Sequence, residues 1–397
     1  MTYARARLWL GISGVGFWVI VAFTLLFFAV PLPFLSTTPN SLTNDWLNEV
    51  TSLICLLGLY ILFSAPFDWL GGYWLPLRFA RATPTLPTFL TNWLRGVFWH
   101  SLILLISGMW LLAAGRAGGR LGAIAAAVLL MALLLAFQGW LARLIGGLRA
   151  TVSNMKLYEQ FLSRRGLRAP AATVLDASDP AFVGGFVGWP GREQLVLPAA
   201  WLQQEAPQKT GLPALSVEAV ATQIARRIGV IERGSRRRGI LVAMLWNLTG
   251  FALATTLPGA GVTNSTELLA TACGFTLWSF IGLLTLPSLS RPGVFEGDYF
   301  AARHGVSHAM LEQTAAALDQ WQDDEPARSP LVETIFHPIP SVQSRAQQLA
   351  ANNGEPHGAW QAARMALFLS WGCFGFLSRA VHCNSGRPEL WVLFPGD

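Results

Sequence analysis

Long apolar runs separated by short polar stretches dominate the first 150 positions of the chain and return near residues 239–289. A helix rises about 1.5 Å per residue, so roughly 20 apolar residues cross the hydrocarbon core of a membrane. The pattern predicts six membrane-spanning helices, at residues 8–30, 50–65, 96–115, 121–137, 239–257 and 268–289. A seventh run, 365–378, is short and bracketed by arginines, so it can cross the membrane, lie in its interface or pack against the bundle. The interpretation that we favour is a membrane-associated segment.

Short turns indicate how the predicted spans pair. The third and fourth runs are separated only by a tight turn that carries Arg116 and Arg120, which indicates a helical hairpin. A polar turn at 261–267 indicates a second hairpin for the last two spans. Between the hairpins, and again after the second one, the chain is polar enough to be soluble.

These boundaries predict five parts in a mostly α, polytopic membrane protein with a small α+β metallopeptidase-like domain. Residues 1–150 form an N-terminal membrane domain with four spans, and 151–238 form the first soluble part. Residues 239–290 form a transmembrane hairpin that splits the soluble domain, whose second part is 291–358. Residues 359–397 form a C-terminal membrane-associated segment. Residues 173–175 and 194–197 are expected to be strands, with a glycine-rich stretch between them.

Composition supports a membrane location. Hydrophobic residues make up 53% of the chain and charged residues 13%, whereas a soluble domain carries about 25% charged residues. The isoelectric point near 9.5 and the 17 tryptophans suit basic loops and interfacial anchoring. Because the basic residues concentrate before the first span, at 66–95 and at 143–238, we expect the N-terminus and the soluble domain on the cytoplasmic side of a bacterial inner membrane. The first span is then a retained signal anchor.

Residues 216–238 form the helix around which the rest of the chain is organised. Val217, Val220, Ile224 and Ile228 recur at three- and four-residue steps, which predicts a helix with one buried face. Ser216 is a favourable N-cap, and Gly229 or Gly234 can end the helix.

The order of elements resembles the HtpX and CAAX prenyl protease family of integral-membrane zinc metallopeptidases. Four stretches carry the resemblance, in order along residues 154–351: Asp179-Pro180-Ala181-Phe182, Glu218-Ala219-Val220, the segment GVFEGDYFAA at 293–302, and His337-Pro338 followed by Arg345. In that family one helix carries HExxH, a membrane hairpin follows, and a second helix supplies a glutamate ligand. The resemblance therefore implies a peptidase-like domain divided by a hairpin.

The chemistry of that family does not carry over to this chain. Zinc hydrolysis needs two imidazoles one helical turn apart, a third ligand and a carboxylate base. At the positions that the resemblance gives to these groups the chain has Gln223, Ile224, Arg227 and Val294. We therefore expect no catalytic residue and no cofactor, and interpret the chain as a pseudoprotease that acts as a binding scaffold or regulator. An extended segment of a partner could then bind by strand addition at 194–197.

Two other functions are weighed against this one. An active zinc metalloendopeptidase could use the non-standard ligands His304, His308 and His337, of which the first two are spaced i, i+4. A transporter is disfavoured, because the apolar runs lack the acidic or arginine residues that mark ion paths when they are buried in a membrane. The four cysteines have no CxxC spacing and are interpreted as free thiols.

The arginines near the degenerate motif have structural interpretations. Arg227, or Arg226 beside it, is predicted to pair with Asp298 or Glu296 and so replace a metal tie with an ion pair. A second group of arginines is expected to fix orientation or to contact lipid head groups; it comprises Arg233, Arg236, Arg237 and Arg238. The partners expected are therefore membrane lipid and a membrane protein or extended peptide, and no nucleic acid.

Overall fold

The computed structural model describes residues 1–28, 32, 35, 44–81, 83–152, 155–202, 215–322, 327–351 and 356–393. The fold is mostly helical with one small mixed sheet. The helices are α1 (Tyr3–Phe27), α2 (Asn44–Trp69), α3 (Leu75–Arg78), α4 (Leu86–Ala136), α5 (Gln138–Gly146), α6 (Lys156–Ser163), α7 (Val217–Glu232), α8 (Ser235–Ala254), α9 (Ser265–Arg303), α10 (His308–Gln322), α11 (Pro330–Phe336), α12 (Val342–Ala351) and α13 (Ala362–Leu369). A π-helical turn (Leu70–Trp74) joins α2 to α3.

Four of the described helices are long and apolar enough to cross a membrane: α1, α2 continued through α3, α4 and α9. They leave large apolar side chains exposed on the outside of the bundle, such as Ile20 at 67% and Leu62 at 64%. Such a surface is stable only against lipid, so the chain is a multi-pass membrane protein. The first turn of α8 carries three arginines, and this helix is not among the four.

Helix α4 is a hairpin of two membrane-spanning arms. Its backbone leaves the helical conformation at Gly118 and at Gly119, whose φ of 59° is in the left-handed region. A Cβ on Gly122 would collide with the carbonyl oxygen of Ala114, so a glycine there lets the arms meet closely. The tight turn expected between Arg116 and Arg120 is therefore present.

The sheet has four strands in the order β1-β2-β4-β3: β1 (Arg149–Thr151), β2 (Ala172–Asp176), β3 (Gly185–Val187) and β4 (Gln194–Pro198). β2 pairs in parallel with β4, and β1 and β3 pair antiparallel on the outside. Strand β4 thus has neighbours on both sides and offers no free edge. The prediction of strand addition at 194–197 is wrong for this reason, and the exposed outer strand is β1.

The C-terminal segment 356–393 fills the interior between the helices. No residue from 358 to 393 is exposed, although only α13 and three short 3-10 turns in this segment are regular. Phe374 abuts Gly108 of α4, and Ser385 abuts Gly71 of the π-helical turn. Residues 365–378 therefore pack against the bundle from within, which is one of the three placements that the sequence allowed.

Candidate functional site

Helix α7 is buried on every side. Ser216 caps it, with its hydroxyl accepting from the amide of Ala219 at 3.1 Å, and the chain turns at Gly234 with a φ of 71°. Every residue from Ala219 to Val230 is buried. Helix α9 approaches so closely that a Cβ on Gly297 would lie 3.1 Å from the carbonyl oxygen of Arg226. The expectation of a single buried face is therefore wrong, because α6, α9, α10 and the sheet enclose the helix.

The four positions that the family resemblance assigns to the zinc ligands and base do not fit a metal. Ile224 and Val294 are 0% and 2% exposed and lie in an apolar cluster. The side-chain oxygen of Gln223 accepts from Nη1 of Arg226 at 2.5 Å, and that arginine is a permanent cation. These residues offer no set of electron pairs that would hold zinc, so no hydrolytic step can be derived through a metal here.

Arg227 donates hydrogen bonds to backbone carbonyl groups of the sheet and of the segment before β3. Its Nη2 donates to the carbonyl oxygen of Val183 at 2.7 Å and its Nη1 to that of Val196 at 3.4 Å. The guanidinium also lies 5.3 Å from the ring centroid of Trp201. The side chain therefore ties α7 to β4 and to the residues that precede β3.

Asp298 is the centre of a buried ion network. Its carboxylate accepts from Nε of Arg226 on α7 and, in a bidentate pair, from Nε and Nη2 of Arg345 on α12 at 2.9 and 2.7 Å. The side chains of Asp298 and Arg226 are each 1% exposed and that of Arg345 is 7% exposed. The residue that pairs with Asp298 is thus Arg226, and not Arg227 as preferred from sequence. Arg345, placed in a resembling motif but given no partner, is the third member.

Glu296, two residues before Asp298 on α9, is a buried carboxylate that forms a second ion pair. Its carboxylate accepts from Nη2 of Arg238 at 2.7 and 2.8 Å, and the amide of Gly358 lies 3.4 Å from it. This contact joins the start of α8 to the C-terminal part of α9. Arg238 is thereby engaged in an ion pair.

The other members of the arginine cluster divide between the protein and the surface. Arg236 is 1% exposed and donates from Nη2 to the carbonyl oxygen of Gly188 at 2.7 Å. Arg233 and Arg237 are exposed. Two of the four arginines that were expected to fix orientation or meet lipid thus hold the fold.

The three histidines considered as alternative ligands lie apart. His304 ends α9, where its Nδ1 lies 2.9 Å from the carbonyl oxygen of Phe300, and His308 begins α10 beyond the turn at Gly305. His337 follows α11, with its ring 5.6 Å from that of His382. Over the described ranges no group of three or more His, Cys, Asp or Glu side chains converges in a way that could hold a metal ion.

Sequence reasoning missed an ion pair within the membrane bundle. Asp68 at the end of α2 pairs with Arg379, and both side chains are almost completely buried. The same carboxylate accepts from Nε1 of Trp93 at 2.9 Å and from the amide of Gly386 at 2.8 Å. The apolar runs themselves contain no acid or arginine, but this buried acid and this buried arginine lie just beyond the ends of two runs, and they were not considered when an ion path was disfavoured. The signal in the sequence was an acid directly after one apolar run and an arginine directly after another.

A third polar cluster joins the C-terminal segment to the soluble domain. Asp179 pairs with Arg387, while Glu389 accepts from the hydroxyl of Ser178 at 2.5 Å and from the amide of Asp179 at 2.9 Å. Burial would raise the pKa of Asp179, but Arg387 outweighs it and lowers that pKa. Burial and the neighbouring Asp179 carboxylate raise the pKa of Glu389 to about 7.

Comparison with known proteins supports the fold. The crystal structure of S. mikatae Ste24p matches with a TM-score of 0.58 and 15% identity, over 84% of this chain and 80% of that one. No model of a known protein family matches the sequence, and neither does any curated protein. At this identity the likeness is one of architecture: a mostly α, multi-pass membrane protein with a small mixed sheet.

Proposed function

We propose that this chain is a catalytically inactive relative of membrane zinc metallopeptidases, acting as a binding scaffold or regulator. The fold that it shares with Ste24p, a CAAX prenyl protease, supports the relation to a peptidase. One observation supports inactivity. Arg226 lies on α7, the helix that would carry the metal ligands. It donates hydrogen bonds to Gln223 and to Asp298, so the polar side chains at this place are bound to one another and not arranged around a metal.

The burial of α7 supports the same proposal. A peptidase must admit a peptide backbone to its metal, yet Gln223, Arg226 and Arg227 are each only 1% exposed. Ion pairs and hydrogen bonds hold α7, α9, α12 and the sheet together. They close the place where a peptidase would need an open cleft. These contacts give rigidity, which suits a scaffold.

Binding of a partner is proposed to use the outside of the soluble domain. Among the described strands, β1 pairs with β2 alone and its three residues are exposed, so an extended peptide could add to its outer edge. The basic residues of the loops support an orientation with this domain on the cytoplasmic side of an inner membrane.

The test is metal content together with cleavage. The detergent-purified chain is analysed for zinc before and after chelation, and is incubated with an unfolded casein-type substrate. We expect no stoichiometric zinc and no chelator-sensitive cleavage from folded protein. One zinc per chain with cleavage that chelation abolishes would overturn the proposal. Substituting His304, His308 and His337 one at a time would then show whether the non-standard ligands are used.

A further inference from the structure

A groove on the membrane-facing side of the bundle has the properties of a lipid site. It lies between the beginning of α2 and the first arm of α4 and has a volume of about 600 Å³. Its lining is apolar and includes Trp46, Val50, Ile106, Met109, Trp110 and Ala113. All of these residues belong to candidate membrane spans, so the groove opens towards lipid.

The length of the groove favours a lipid chain over a helix. On α4 the lining extends from Leu105 to Ala114, which is about 13–14 Å at 1.5 Å per residue. This distance is about half of the roughly 30 Å hydrocarbon core, or one leaflet. A membrane-spanning helix of a partner would cross both leaflets, whereas an acyl chain crosses one.

A cation stands at the end of the groove nearest the hairpin tip of α4. The guanidinium of Arg116 lies 4.4 Å from the ring centroid of Trp46, and its side chain is 28% exposed. Its Nη2 donates to Glu49 at 2.6 Å and its Nε to the carbonyl oxygen of Thr263 at 2.6 Å. Nη1 of Arg116 has no hydrogen-bond acceptor among the described residues. Tryptophan and arginine at this depth are the side chains that meet phospholipid head groups.

We propose that this groove binds one acyl chain of a bilayer phospholipid, whose phosphate lies against Arg116. Glu49 neutralises part of the arginine charge, so recognition depends on a hydrogen bond from the guanidinium to a phosphate oxygen and not on the net charge of the lipid. The groove is at the end of the bundle where the tip of α4 meets the α8–α9 turn, away from the sheet, so the lipid comes from the leaflet opposite the soluble domain. This site is independent of the proposed pseudoprotease function.

The experiment counts phospholipids that stay bound to the full-length chain during stepwise delipidation, by native mass spectrometry. Ala113→Phe places a ring in the groove, and Ala125→Phe is the matched control, because Ala125 is exposed on the second arm at a similar distance from the hairpin tip. We expect one phospholipid to remain on the unmodified chain and on Ala125→Phe, and at least a fivefold loss of that species on Ala113→Phe.

Two outcomes would overturn the inference. Equal retention by Ala113→Phe and Ala125→Phe would show that the resistant lipid lies elsewhere. Loss of all phospholipid from the unmodified chain would show only annular lipid. Ile106→Trp, which fills the groove from another exposed position, gives a second test if Ala113→Phe does not fold. Retention by a folded Ile106→Trp chain would equally sink the proposal.

Discussion

Arg226 donates to Asp298 across the contact between α7 and α9, two helices separated in sequence by α8. Arg345 holds the same carboxylate from α12. One acidic side chain thus joins three helices of the soluble domain. Two arginines share it, so the network depends on the acid more than on either base.

Removing the carboxylate charge should destabilise the soluble domain. Asp298→Asn removes the carboxylate charge that Arg226 and Arg345 share, and breaking a buried pair costs about 3–5 kcal/mol. We expect a lower thermal unfolding midpoint in detergent. Asp176→Asn, at an exposed position on β2, is the control and should unfold like the unmodified chain. Similar midpoints for both variants would contradict a structural role for the network.

Exchanging the charges should fail to restore stability. In the double variant Arg226→Asp with Asp298→Arg, the new arginine would face Arg345, which is bidentate to the original carboxylate. We expect the double variant to be no more stable than Asp298→Arg alone, as measured by a double-mutant cycle of unfolding midpoints. Rescue to near the unmodified stability would show that Arg226 and Asp298 form an isolated pair.

The ion pair inside the membrane bundle should hold the C-terminal segment in place. Asp68→Asn leaves the guanidinium of Arg379 uncompensated at a site where both side chains are buried, with a cost of about 3–5 kcal/mol. We expect trypsin to cleave this variant after Arg379, which is followed by Ala380, at concentrations that leave the unmodified chain intact. Asp176→Asn again serves as the control. Resistance of the Asp68 variant would mean that packing alone fixes the segment.

Glu389 should make the attachment of the C-terminal segment depend on pH. Its pKa is raised to about 7 in the folded chain, against about 4.3 in an unfolded one, so the folded state binds the proton more tightly. Stability is therefore highest below the unfolded pKa and falls as pH rises towards 7, by about 4 kcal/mol in total.

The matched variant for this prediction is Glu389→Gln, which stays neutral. Between pH 5 and 8 the thermal midpoint of the unmodified chain should decline relative to that of Glu389→Gln. The variant is the reference because histidines and other groups titrate in both proteins, so their contributions cancel in the comparison. Parallel profiles would show that Glu389 does not titrate in this range. A decline confined to the variant would reverse the sign and contradict the assignment.

The sequence predicted elements far better than it predicted partners. Apolar runs marked the spans, Ser216 marked the start of α7, and Gly234 was one of the two glycines considered for its end, because these signals are local. Which of Arg226 and Arg227 pairs with Asp298 is not decided by the neighbouring sequence. Adjacent residues point about 100° apart on a helix, and spacing can assign a face only when one face is buried. On a helix enclosed from every side, the partner is decided by elements distant in sequence.

The membrane pair shows the same limit in a stronger form. Asp68 and Arg379 are 311 positions apart, and neither has a neighbour in sequence that points to the other. The placement of 365–378 was open for the same reason, since its composition suited lipid and protein interior equally. Only the close approach of residues such as Phe374 to Gly108 decides that it faces protein.

The burial of residues 358–393 has a consequence for biosynthesis. The ribosome makes these residues after α1 to α12, so the helices that surround them are translated before the segment that packs between them. Before residues 358–393 are made, the space between the helices is not filled by this segment, and Asp68 does not yet have Arg379 as its ion-pair partner. The spans must therefore be inserted as a loose group that stays open to its own trailing segment. A stop codon before residue 358 would leave the four candidate spans translated. It would remove the segment that packs between them.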